Sequence, residues 1–570
     1  MRFDFQGGRP RTAVLGSVGQ GEITMRLLDL IPGSWLRWAV LTLLGVAIGH
    51  TLVMATRLTV WSMAPVVVVW LLIGWYWRWG AAPSVSPHRV FPWALIPLVF
   101  WGIFDYLANS FGKVDMGAVF FHLQAGMSEH GGTERTIAAV FHILLTALVL
   151  IAYSWLVHRD SRWQRGDRYL AIVLLVANPM FYSMGQRGAA VVADPGAWLE
   201  RRYVEPVILE APAQPPNLLV LYLESLERTY GDRERFGDAY ADIAALEPEA
   251  VVFDNVRQID NTGWTMAGMI ASQCGTPLMP AGLLHDSQFE PLHHVVPGAR
   301  CLGDLLKEQG YRLTFMGGAS TQFAGKGLFY SDHGFDRVLG REHLTERLED
   351  PEYLNSWGLF DDSLYRMVTE EVRQLDRQPG PWAMVSLNLA AHAPVGYPAQ
   401  SCIDEFGDYD GVDILYSVRC SAWLARNLIE RLKGEGLLDN TLVVVASDHL
   451  TMRVSEWDAL NASERTNTLM MMGNGLTPRY IHRPATTMDT LPTLLEAMGF
   501  TIDWHRAGLG VSLLSGEPTL AQHYGLDELN RYMREETALQ ERLWEGLAPE
   551  FHSDGQPQTP PTAPTAPEQP

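Results

Sequence analysis

The chain divides into two parts that differ in the spacing of their apolar residues. In the first part, apolar runs of about the length that a helix needs to cross a bilayer alternate with short polar segments. Residues 1–190 are therefore predicted to form a transmembrane bundle of five helices. The predicted spans lie at about residues 38–55, 58–77, 90–111, 136–157 and 169–185. The third and fifth runs fit this pattern least well, since Asp105 lies near the end of one and Pro179 within the other.

Beyond residue 216 the pattern changes to short apolar runs that alternate with helical stretches, which is typical of an α/β fold. We assign residues 217–547 to this fold and expect a charged, exposed helix, Leu526–Leu547, at its end. Residues 191–216 hold several prolines and arginines and are predicted to be a connector. The Pro/Thr/Gln-rich residues 548–570 are predicted to be disordered. The clear strands are Leu218–Leu223, Arg312–Met316, Trp382–Leu389 and Thr441–Ala446.

Basic residues are distributed unequally between the segments that flank the apolar runs. Eleven lie in the N-terminal segment, the second loop and the fourth loop, whereas the first and third loops together hold three. Because loops rich in Arg and Lys stay in the cytoplasm, the N-terminus is expected inside and everything after the fifth run outside. The α/β domain is therefore expected on the outer side of the membrane.

The net charge limits the possible partners, and the cysteines indicate disulfides rather than a zinc site. The formal net charge of −21 argues against a nucleic-acid-binding protein, which needs a basic face. All four cysteines lie in the part expected outside the cytoplasm, where an even number predicts two disulfides. Neighbours along the chain favour Cys274–Cys301 and Cys402–Cys420, although four cysteines allow three pairings. A zinc site is less favoured, since no C-x-x-C pair accompanies them.

Polar side chains follow several of the predicted strands. Glu224 comes directly after the first strand, and Asp448 and His449 come after the last. Lys326 and His392 lie in the segments that follow the second and third. Ligands of open α/β sheets bind at the carboxyl ends of the strands, so these groups are expected to converge there. Each has a plainer explanation as a cap, a turn residue or a solvated side chain, and only their joint position favours a site.

Thr265 lies where a loop of small residues passes into an apolar helix. Taken alone it is explained by helix capping, because a threonine hydroxyl there accepts a bond from first-turn N–H groups. Beside Glu, Asp and His side chains it completes a set of oxygen and nitrogen ligands suited to a divalent cation. The nearby Cys274-Gly-Thr-Pro277 differs from the C-x-P-x-R sequence of sulfatases, because its proline is one position late and no arginine follows. Oxidised-cysteine sulfatase chemistry is therefore rejected.

Six blocks of the sequence carry a family resemblance: Leu221–Tyr230, Thr265–Gly275, Phe323–Lys326, Trp357–Asp362, Ser447–Leu450 and Gly508–Gly510. They resemble the phosphoglycerol transferases that act on osmoregulated periplasmic glucans and, more distantly, lipoteichoic acid synthase and the alkaline phosphatase superfamily. The resemblance covers roughly residues 217–516 and implies a sulfatase-like α/β/α sandwich. It also implies one divalent metal ion, Mn²⁺ or Mg²⁺ rather than Zn²⁺. The implied metal ligands are Glu224, Thr265, Asp448 and His449.

The same resemblance implies an activity and its residues. Thr265 would be the nucleophile, Lys326 would contact the phosphate, and His392 would contact the substrate and exchange protons. The reaction would move glycerophosphate from phosphatidylglycerol to a periplasmic glucan, or to another glycan or lipid-linked acceptor. The protein would be a multi-pass protein of the bacterial inner membrane with its catalytic domain in the periplasm.

Three other functions remain open at this point. Two belong to the same superfamily: a phosphoethanolamine transferase, and a phosphodiesterase or phosphatase that uses water as acceptor. The third is a non-catalytic membrane sensor. The sensor is disfavoured, because a scaffold has no reason to keep a set of unpaired ligands together.

Overall fold

The computed structural model describes residues 91–111, 133–178 except 160, 180, 197–278, and 292–544 except 408, 410, 412 and 537. The predicted spans 38–55 and 58–77 and the predicted tail 548–570 lie outside the described residues. The chain forms two compact units. One comprises residues 1–105 and 142–179, and the other comprises residues 106–141 and 180–570.

Three apolar helices precede the α/β domain: α1 Leu95–Phe111, α2 Thr133–Arg159 and α3 Ser161–Ala177. Within α2, residues Ile137–Trp155 are long and apolar enough to cross a membrane, and among the described residues this is the one helix that meets both criteria. Its large apolar side chains are mostly exposed, as expected of a helix surrounded by lipid. The predicted bundle of five spans is thus described only in part.

The last of these helices differs from the predicted span 169–185. Helix α3 begins at Ser161 and ends at Ala177, two residues before Pro179. A proline disfavours helical geometry in the residue before it, which explains the end of α3. Within the first unit, the buried carboxylate of Asp167 accepts hydrogen bonds from Trp93 N (2.6 Å) and the Tyr153 hydroxyl (2.7 Å), so the polar start of α3 is tied to its neighbours.

The strands of the second unit are β1 Ile208–Glu210, β2 Asn217–Leu223, β3 Val251–Phe253, β4 Val256–Arg257, β5 Arg312–Gly317, β6 Arg337–Leu339, β7 Trp382–Leu387, β8 Thr441–Ser447, β9 Leu469–Gly473, β10 Arg479–Ile481, β11 Ala485–Thr486, β12 Thr501–Ile502, β13 Arg506–Ala507 and β14 Gly510–Val511. Eight of them form one sheet in the order β10-β3-β9-β8-β2-β7-β5-β6. Strands β8, β2, β7, β5 and β6 run parallel, and β9 is antiparallel to β3 and β8. The four strands predicted from the sequence are β2, β5, β7 and β8.

The helices of the second unit are α4 Arg233–Phe236, α5 Ala241–Ala244, α6 Thr265–Cys274, α7 Leu302–Glu308, α8 Lys326–Asp332, α9 Arg341–Leu344, α10 Asp361–Asp376, α11 Gln400–Phe406, α12 Ile414–Gly434, α13 Trp457–Asn461, α14 Thr490–Ala497, α15 Leu520–Tyr524, α16 Leu526–Glu535 and α17 Ala538–Trp544. Short 3-10 turns lie at Glu200–Arg202, Arg228–Gly231, Glu247–Glu249, Phe323–Gly325, Thr345–Arg347, Thr487–Asp489 and Asp503–His505.

The central strand β2 is buried on both faces, which explains its unbroken apolar sequence. Leu218, Val220 and Tyr222 pack in one hydrophobic cluster together with α6, α7 and α14. The alternating residues Leu219, Leu221 and Leu223 pack in a second cluster with α10 and α12. Helices therefore cover both faces of the sheet, and the predicted α/β fold of this domain is confirmed.

Two disulfides join elements of this unit. Cys274 at the end of α6 is bonded to Cys301 before α7, with their Sγ atoms 1.97 Å apart. Cys402 in α11 is bonded to Cys420 in α12, with an Sγ–Sγ distance of 2.01 Å. This pairing is the one that proximity along the sequence favoured.

The two ends of the α/β domain differ from the sequence-based description. Part of the predicted connector is structured, since β1 pairs with β12 and Leu199 is fully buried. The predicted exposed helix Leu526–Leu547 is wrong in its extent and its exposure. It is interrupted at Glu536, whose backbone is extended, and the apolar side chains Leu529 and Leu539 are buried. The charged residues occupy one face only, which a count of charges along the chain does not reveal.

Candidate active site

The strand order explains why the predicted site residues meet. The neighbours β8, β2, β7 and β5 are parallel, so their carboxyl ends lie side by side at one edge of the sheet. Leu223 at the end of β2 is in register with Ser447 at the end of β8. Glu224 follows Leu223 and Asp448 follows Ser447, so Glu224 and Asp448 are neighbours at this edge of the sheet.

Glu224 is buried and held rigidly. Its backbone N–H donates to Asn388 Oδ1 at 2.8 Å, and the Ser225 hydroxyl donates to its Oε1 at 2.9 Å. Ser225 adopts a φ of 56°, a left-handed conformation that costs a non-glycine residue on the order of 1 kcal/mol. The bond from Ser225 N to Asp448 Oδ1 (2.9 Å) stabilises this turn and links the two strand ends.

Asp448 and His449 complete the cluster from the end of β8. The Nδ1 atom of His449 lies 2.7 Å from the carbonyl oxygen of Leu450, which can only accept, so Nδ1 carries the proton. The opposite ring nitrogen, Nε2, lies 3.4 Å from Glu224 Oε1 and 3.3 Å from Asp448 Oδ2. When the ring is neutral, the lone pair of Nε2 is thereby directed between the two carboxylates.

Thr265 is the first residue of α6 and faces the same cluster. Its Oγ1 lies 3.5 Å from Glu224 Oε2. The capping position is held by Trp264, and no side chain caps this helix, so the threonine does not serve as the N-cap. The first-turn N–H groups are consequently available to an anion at the site.

Gly268 brings α6 close to the end of β8. A Cβ atom at this position would lie only 1.7 Å from the carbonyl oxygen of Asp448. Any other residue would therefore push the helix away from the loop that carries Asp448 and His449. The sequence analysis did not single out this glycine.

The cluster fits a divalent cation. One ligand atom each from Glu224, Asp448 and His449 lies within 4.8 Å of the others, and all three residues are buried. Asp448 Oδ2 and His449 Nε2 have no hydrogen-bond partner among the described residues, although buried polar atoms are normally paired. A bound cation would satisfy both atoms and separate the two carboxylates.

The electrostatics agree with this interpretation. Burial and the neighbouring Glu224 carboxylate raise the pKa of Asp448. Burial also acts to raise the pKa of Glu224, but His392 and His449 outweigh it and hold that pKa well below its usual range. The pKa of His449 is raised despite burial, because Asp448 and Glu224 favour its charged form. Protons on Asp448 and His449 thus offset negative charge that a bound cation would otherwise offset.

Lys326 is the first residue of α8 and is only 2% exposed. Burial lowers the pKa of its ammonium group to about 8, although the carboxylates of Glu224, Glu342 and Asp448 act to raise it. Its Nζ lies 4.7 Å from the ring centre of Phe323 and donates no hydrogen bond to any residue in the described part of the chain. A buried ammonium group beside the site is suited to bind an anionic substrate.

His392 lies in the loop after β7 and is buried. Its Nδ1 lies 2.8 Å from the carbonyl oxygen of Ala393, and its ring packs against Trp357 at a centroid distance of 4.3 Å. The loop is held by Asp361 at the start of α10, whose carboxylate accepts hydrogen bonds from Leu389 N (2.8 Å) and Ala390 N (3.0 Å). Asp361 and Trp357 lie in a block that was noted only for its family resemblance.

Glu227, Thr451 and Arg465 hold the loops that carry Glu224 and Asp448, and the sequence alone does not single them out. Arg465 donates to both oxygens of the fully buried Glu227, at 2.9 and 3.1 Å from Nε, and to the carbonyl oxygen of Thr451 at 2.6 Å. The Thr451 hydroxyl in turn donates to the carbonyl oxygen of Ser225 at 2.6 Å. This network joins the segments that follow β2 and β8. Residues 238 positions apart give no periodic signal that would reveal it.

A second group of potential metal ligands is committed to other bonds. Cys301 is bonded to Cys274, and His333 Nδ1 lies 2.7 Å from Asp304 Oδ2. His333 Nε2 lies 3.1 Å from the carbonyl oxygen of Val295. Both ring nitrogens are thus engaged by acceptors, which leaves no lone pair for a metal.

Comparisons with known proteins identify relatives of this chain. The model of the sulfatase family matches residues 216–500. Phosphoglycerol transferase I of Xanthomonas euvesicatoria pv. vesicatoria is 32% identical over 445 residues, which cover 74% of this chain and 60% of that protein. The chain thus spans less than two thirds of this relative's length.

Solved structures show similarity at low identity. An alkaline phosphatase superfamily protein from Vibrio parahaemolyticus is 22% identical with a TM-score of 0.46, and the match covers 58% of this chain and 77% of that one. The lipoteichoic acid synthase LtaP from Listeria monocytogenes is 17% identical with a TM-score of 0.42, and the match covers 53% of this chain and 76% of that one.

Proposed function

This chain belongs to the sulfatase family, and we propose that it is a membrane-bound phosphoglycerol transferase. The family resemblance predicted from the sequence blocks is confirmed. The proposed reaction moves glycerophosphate from phosphatidylglycerol to a hydroxyl of a periplasmic glucan or another envelope acceptor. Thr265 carries the group between donor and acceptor.

One observation carries this proposal. The Thr265 hydroxyl lies 3.5 Å from Glu224, within a cluster whose Asp448 Oδ2 and His449 Nε2 atoms have no hydrogen-bond partner among the described residues. Glu224, Thr265, Asp448 and His449 would hold one divalent ion. Three oxygen donors and one imidazole suit Mn²⁺ or Mg²⁺, which are bound mainly through oxygen. When bound, such an ion supplies positive charge that lowers the pKa of the threonine hydroxyl.

The first half-reaction forms a covalent intermediate. Thr265 Oγ1 attacks the phosphorus of phosphatidylglycerol, a new P–O bond forms, and the P–O bond to diacylglycerol breaks. Lys326 and the first-turn N–H groups of α6 offset the charge that develops on the phosphoryl oxygens. The proton lost by Thr265 is matched by the one that the departing diacylglycerol oxygen gains.

In the second half-reaction, Thr265 is the leaving group and the acceptor hydroxyl is the attacking group. An acceptor hydroxyl attacks the phosphorus, its proton leaves, and Thr265 regains its hydroxyl proton as the P–O bond to it breaks. His392 is the residue proposed to exchange these protons. Its Nδ1 is engaged by the Ala393 carbonyl oxygen, so proton exchange falls to Nε2.

The location proposed for this reaction is the periplasmic face of the bacterial inner membrane. The donor is a lipid, α2 is long and apolar enough to cross a bilayer, and the distribution of basic residues favours an external α/β domain. Two disulfides in that domain suit an oxidising compartment. The multi-pass topology with five spans is part of the proposal.

The test uses the full chain in proteoliposomes that contain phosphatidylglycerol labelled in its head-group glycerol. With Mn²⁺ and a glucan acceptor, label should appear on the glucan, and it should remain in the lipid when Thr265 is replaced by alanine. Label released only as free glycerophosphate would identify a phosphodiesterase. Transfer from phosphatidylethanolamine instead would identify a phosphoethanolamine transferase, and either result would contradict the proposal.

A further inference from the structure

Two described segments lie outside the part of the chain that the family model matches. One is residues 197–203, before β1, and the other is residues 520–544, which form α15, α16 and α17. Neither segment contributes a residue to the cluster around Glu224 and Thr265. The two segments nevertheless pack on each other, and α16 also contacts the loop that leads to Thr265.

The contact between the two segments is specific. The ring of Trp198 stacks on Tyr532 of α16, with centroids 3.9 Å apart and planes inclined by 7°. The carboxylate of Glu536, directly after α16, accepts hydrogen bonds from Leu199 N (2.5 Å) and Glu200 N (2.8 Å). The end of α16 therefore fixes residues 197–203.

The same helix binds the loop before Thr265. Asn530 Oδ1 accepts a hydrogen bond from Asp260 N at 2.7 Å, and Asn261 Nδ2 donates to the carbonyl oxygen of Met533 at 2.9 Å. Arg534 Nη1 lies 2.6 Å from Asp260 Oδ2. The backbone N–H and side chain of Asp260 and the side chain of Asn261 are thus held by α16.

The loop turns at Asn261, which is buried and has a φ of 63°. Asparagine adopts this left-handed conformation more readily than most other non-glycine residues, and its side-chain bond to α16 holds it there. The carbonyl oxygen of Asn261 accepts from Leu278 N at 3.1 Å, so both ends of α6 depend on this one residue. The position of the Thr265 hydroxyl relative to Glu224 follows from where this turn places the start of α6.

We propose that Asn530 is a positioning residue for the nucleophile and that α16 sets the geometry of Thr265 through residues 260 and 261. The inference rests on the proposed function, in which Thr265 attacks phosphorus. It assigns a role in the reaction to a helix outside the family match, one that also binds residues 197–203. Asn530 itself touches neither the substrate nor the metal ligands.

The experiment compares the full chain with its Asn530→Ala and Asn530→Asp variants. Alanine removes the acceptor for Asp260 N–H, so hydrogen exchange in the peptide that contains Asp260 should accelerate by about tenfold or more, while exchange at β8 stays unchanged. The kcat for transfer of glycerophosphate from phosphatidylglycerol to the glucan acceptor should fall by about tenfold or more, with KM and the affinity for Mn²⁺ within about twofold. Aspartate retains the accepting oxygen and should restore most of both properties.

Two further variants make the result decisive. Arg534→Gln removes a different contact to the same loop and should shift exchange and kcat in the same direction by less, which covers the case that Asn530→Ala does not fold. Asp527→Ala changes an exposed residue of α16 that has no polar contact with the loop among the described residues, and it should change neither property.

Three results would overturn the inference: unchanged exchange at Asp260, faster exchange with unchanged kcat, or equal damage from alanine and aspartate at position 530. The proposed function fails separately, if the parent chain transfers no glycerophosphate to the glucan acceptor. The hydrogen-exchange measurement at Asp260 would then still decide whether α16 holds the loop.

Discussion

Replacing Gly268 by alanine tests the geometry of the site through a single methyl group. The added Cβ would lie 1.7 Å from the carbonyl oxygen of Asp448, whereas carbon and oxygen atoms in contact are about 3.3 Å apart. Helix α6 and the Asp448 loop must therefore separate by roughly 1.5 Å, the difference between those two distances. This shift moves Thr265, the proposed nucleophile, away from the residues proposed to activate it.

The expected change in the free energy of unfolding is the balance of two opposing effects. On helix propensity alone, glycine to alanine stabilises a helix by up to about 1 kcal/mol. Overpacking of a tight contact costs about 1–3 kcal/mol, so the net effect on the free energy of unfolding should be destabilising. A displacement of about 1 Å in a catalytic geometry can cost about 100-fold in rate, so kcat should fall by about 100-fold or more.

The assay measures kcat for glycerophosphate transfer, Mn²⁺ affinity by calorimetry and the thermal midpoint. The matched control is Gly434→Ala, since Gly434 is also a helical glycine but has no atom within 4 Å of the position of an added Cβ. This control should keep its kcat and should be as stable as the parent or slightly more so. Parental kcat and parental Mn²⁺ affinity in Gly268→Ala would refute the packing of α6 on the Asp448 loop.

Three other predictions concern the chemistry directly. Asp448→Asn should abolish tight Mn²⁺ binding while circular dichroism stays native, and activity that survives chelation would contradict metal dependence. Rapid quenching should trap glycerophosphate on the peptide that contains Thr265. Thr265→Ala should show no adduct, whereas Thr265→Ser should retain part of the activity. A fully active alanine variant would mean that another group is the nucleophile. Burial lowers the pKa of Lys326 to about 8, so the cation proposed to bind the phosphate is lost as the pH rises through that value, and kcat/KM should decline above about pH 8. Lys326→Arg should extend activity to higher pH, and an identical alkaline limb in both proteins would exclude Lys326 as its origin.

The parts of the site that the sequence could predict are those that depend on strand order alone. β2 and β8 are recognisable as buried strands, and parallel neighbours present their carboxyl ends together. Glu224, Asp448 and His449 follow these strands directly, so their meeting depends on no detail of packing. The capping alternative for Thr265 could not be decided in this way. It required the structure, which shows Trp264 at the capping position.

The parts that could not be predicted depend on packing between elements far apart in the chain. The Glu227–Arg465 pair links residues 238 positions apart, and Gly268 is recognisable as essential only once Asp448 lies against it. A count of charges in Leu526–Leu547 suggests an exposed helix, because the count does not show that the apolar residues share one face. The interaction of this segment with Asp260 depends on where α16 packs, a property of the assembled domain.

The charges of the proposed site imply that binding of the metal ion and binding of the lipid head group would favour each other. Glu224 and Asp448 would repel a phosphodiester if both were ionised and unneutralised, and Lys326 alone does not balance two carboxylates. A divalent ion between the carboxylates would reverse this balance, so the phosphate and the ion should each raise the affinity for the other by the same factor. Metal-free protein should therefore bind phosphatidylglycerol vesicles through its apolar helices yet show no preference for that head group. A head-group preference that persists without metal would place phosphate recognition elsewhere than at this cluster.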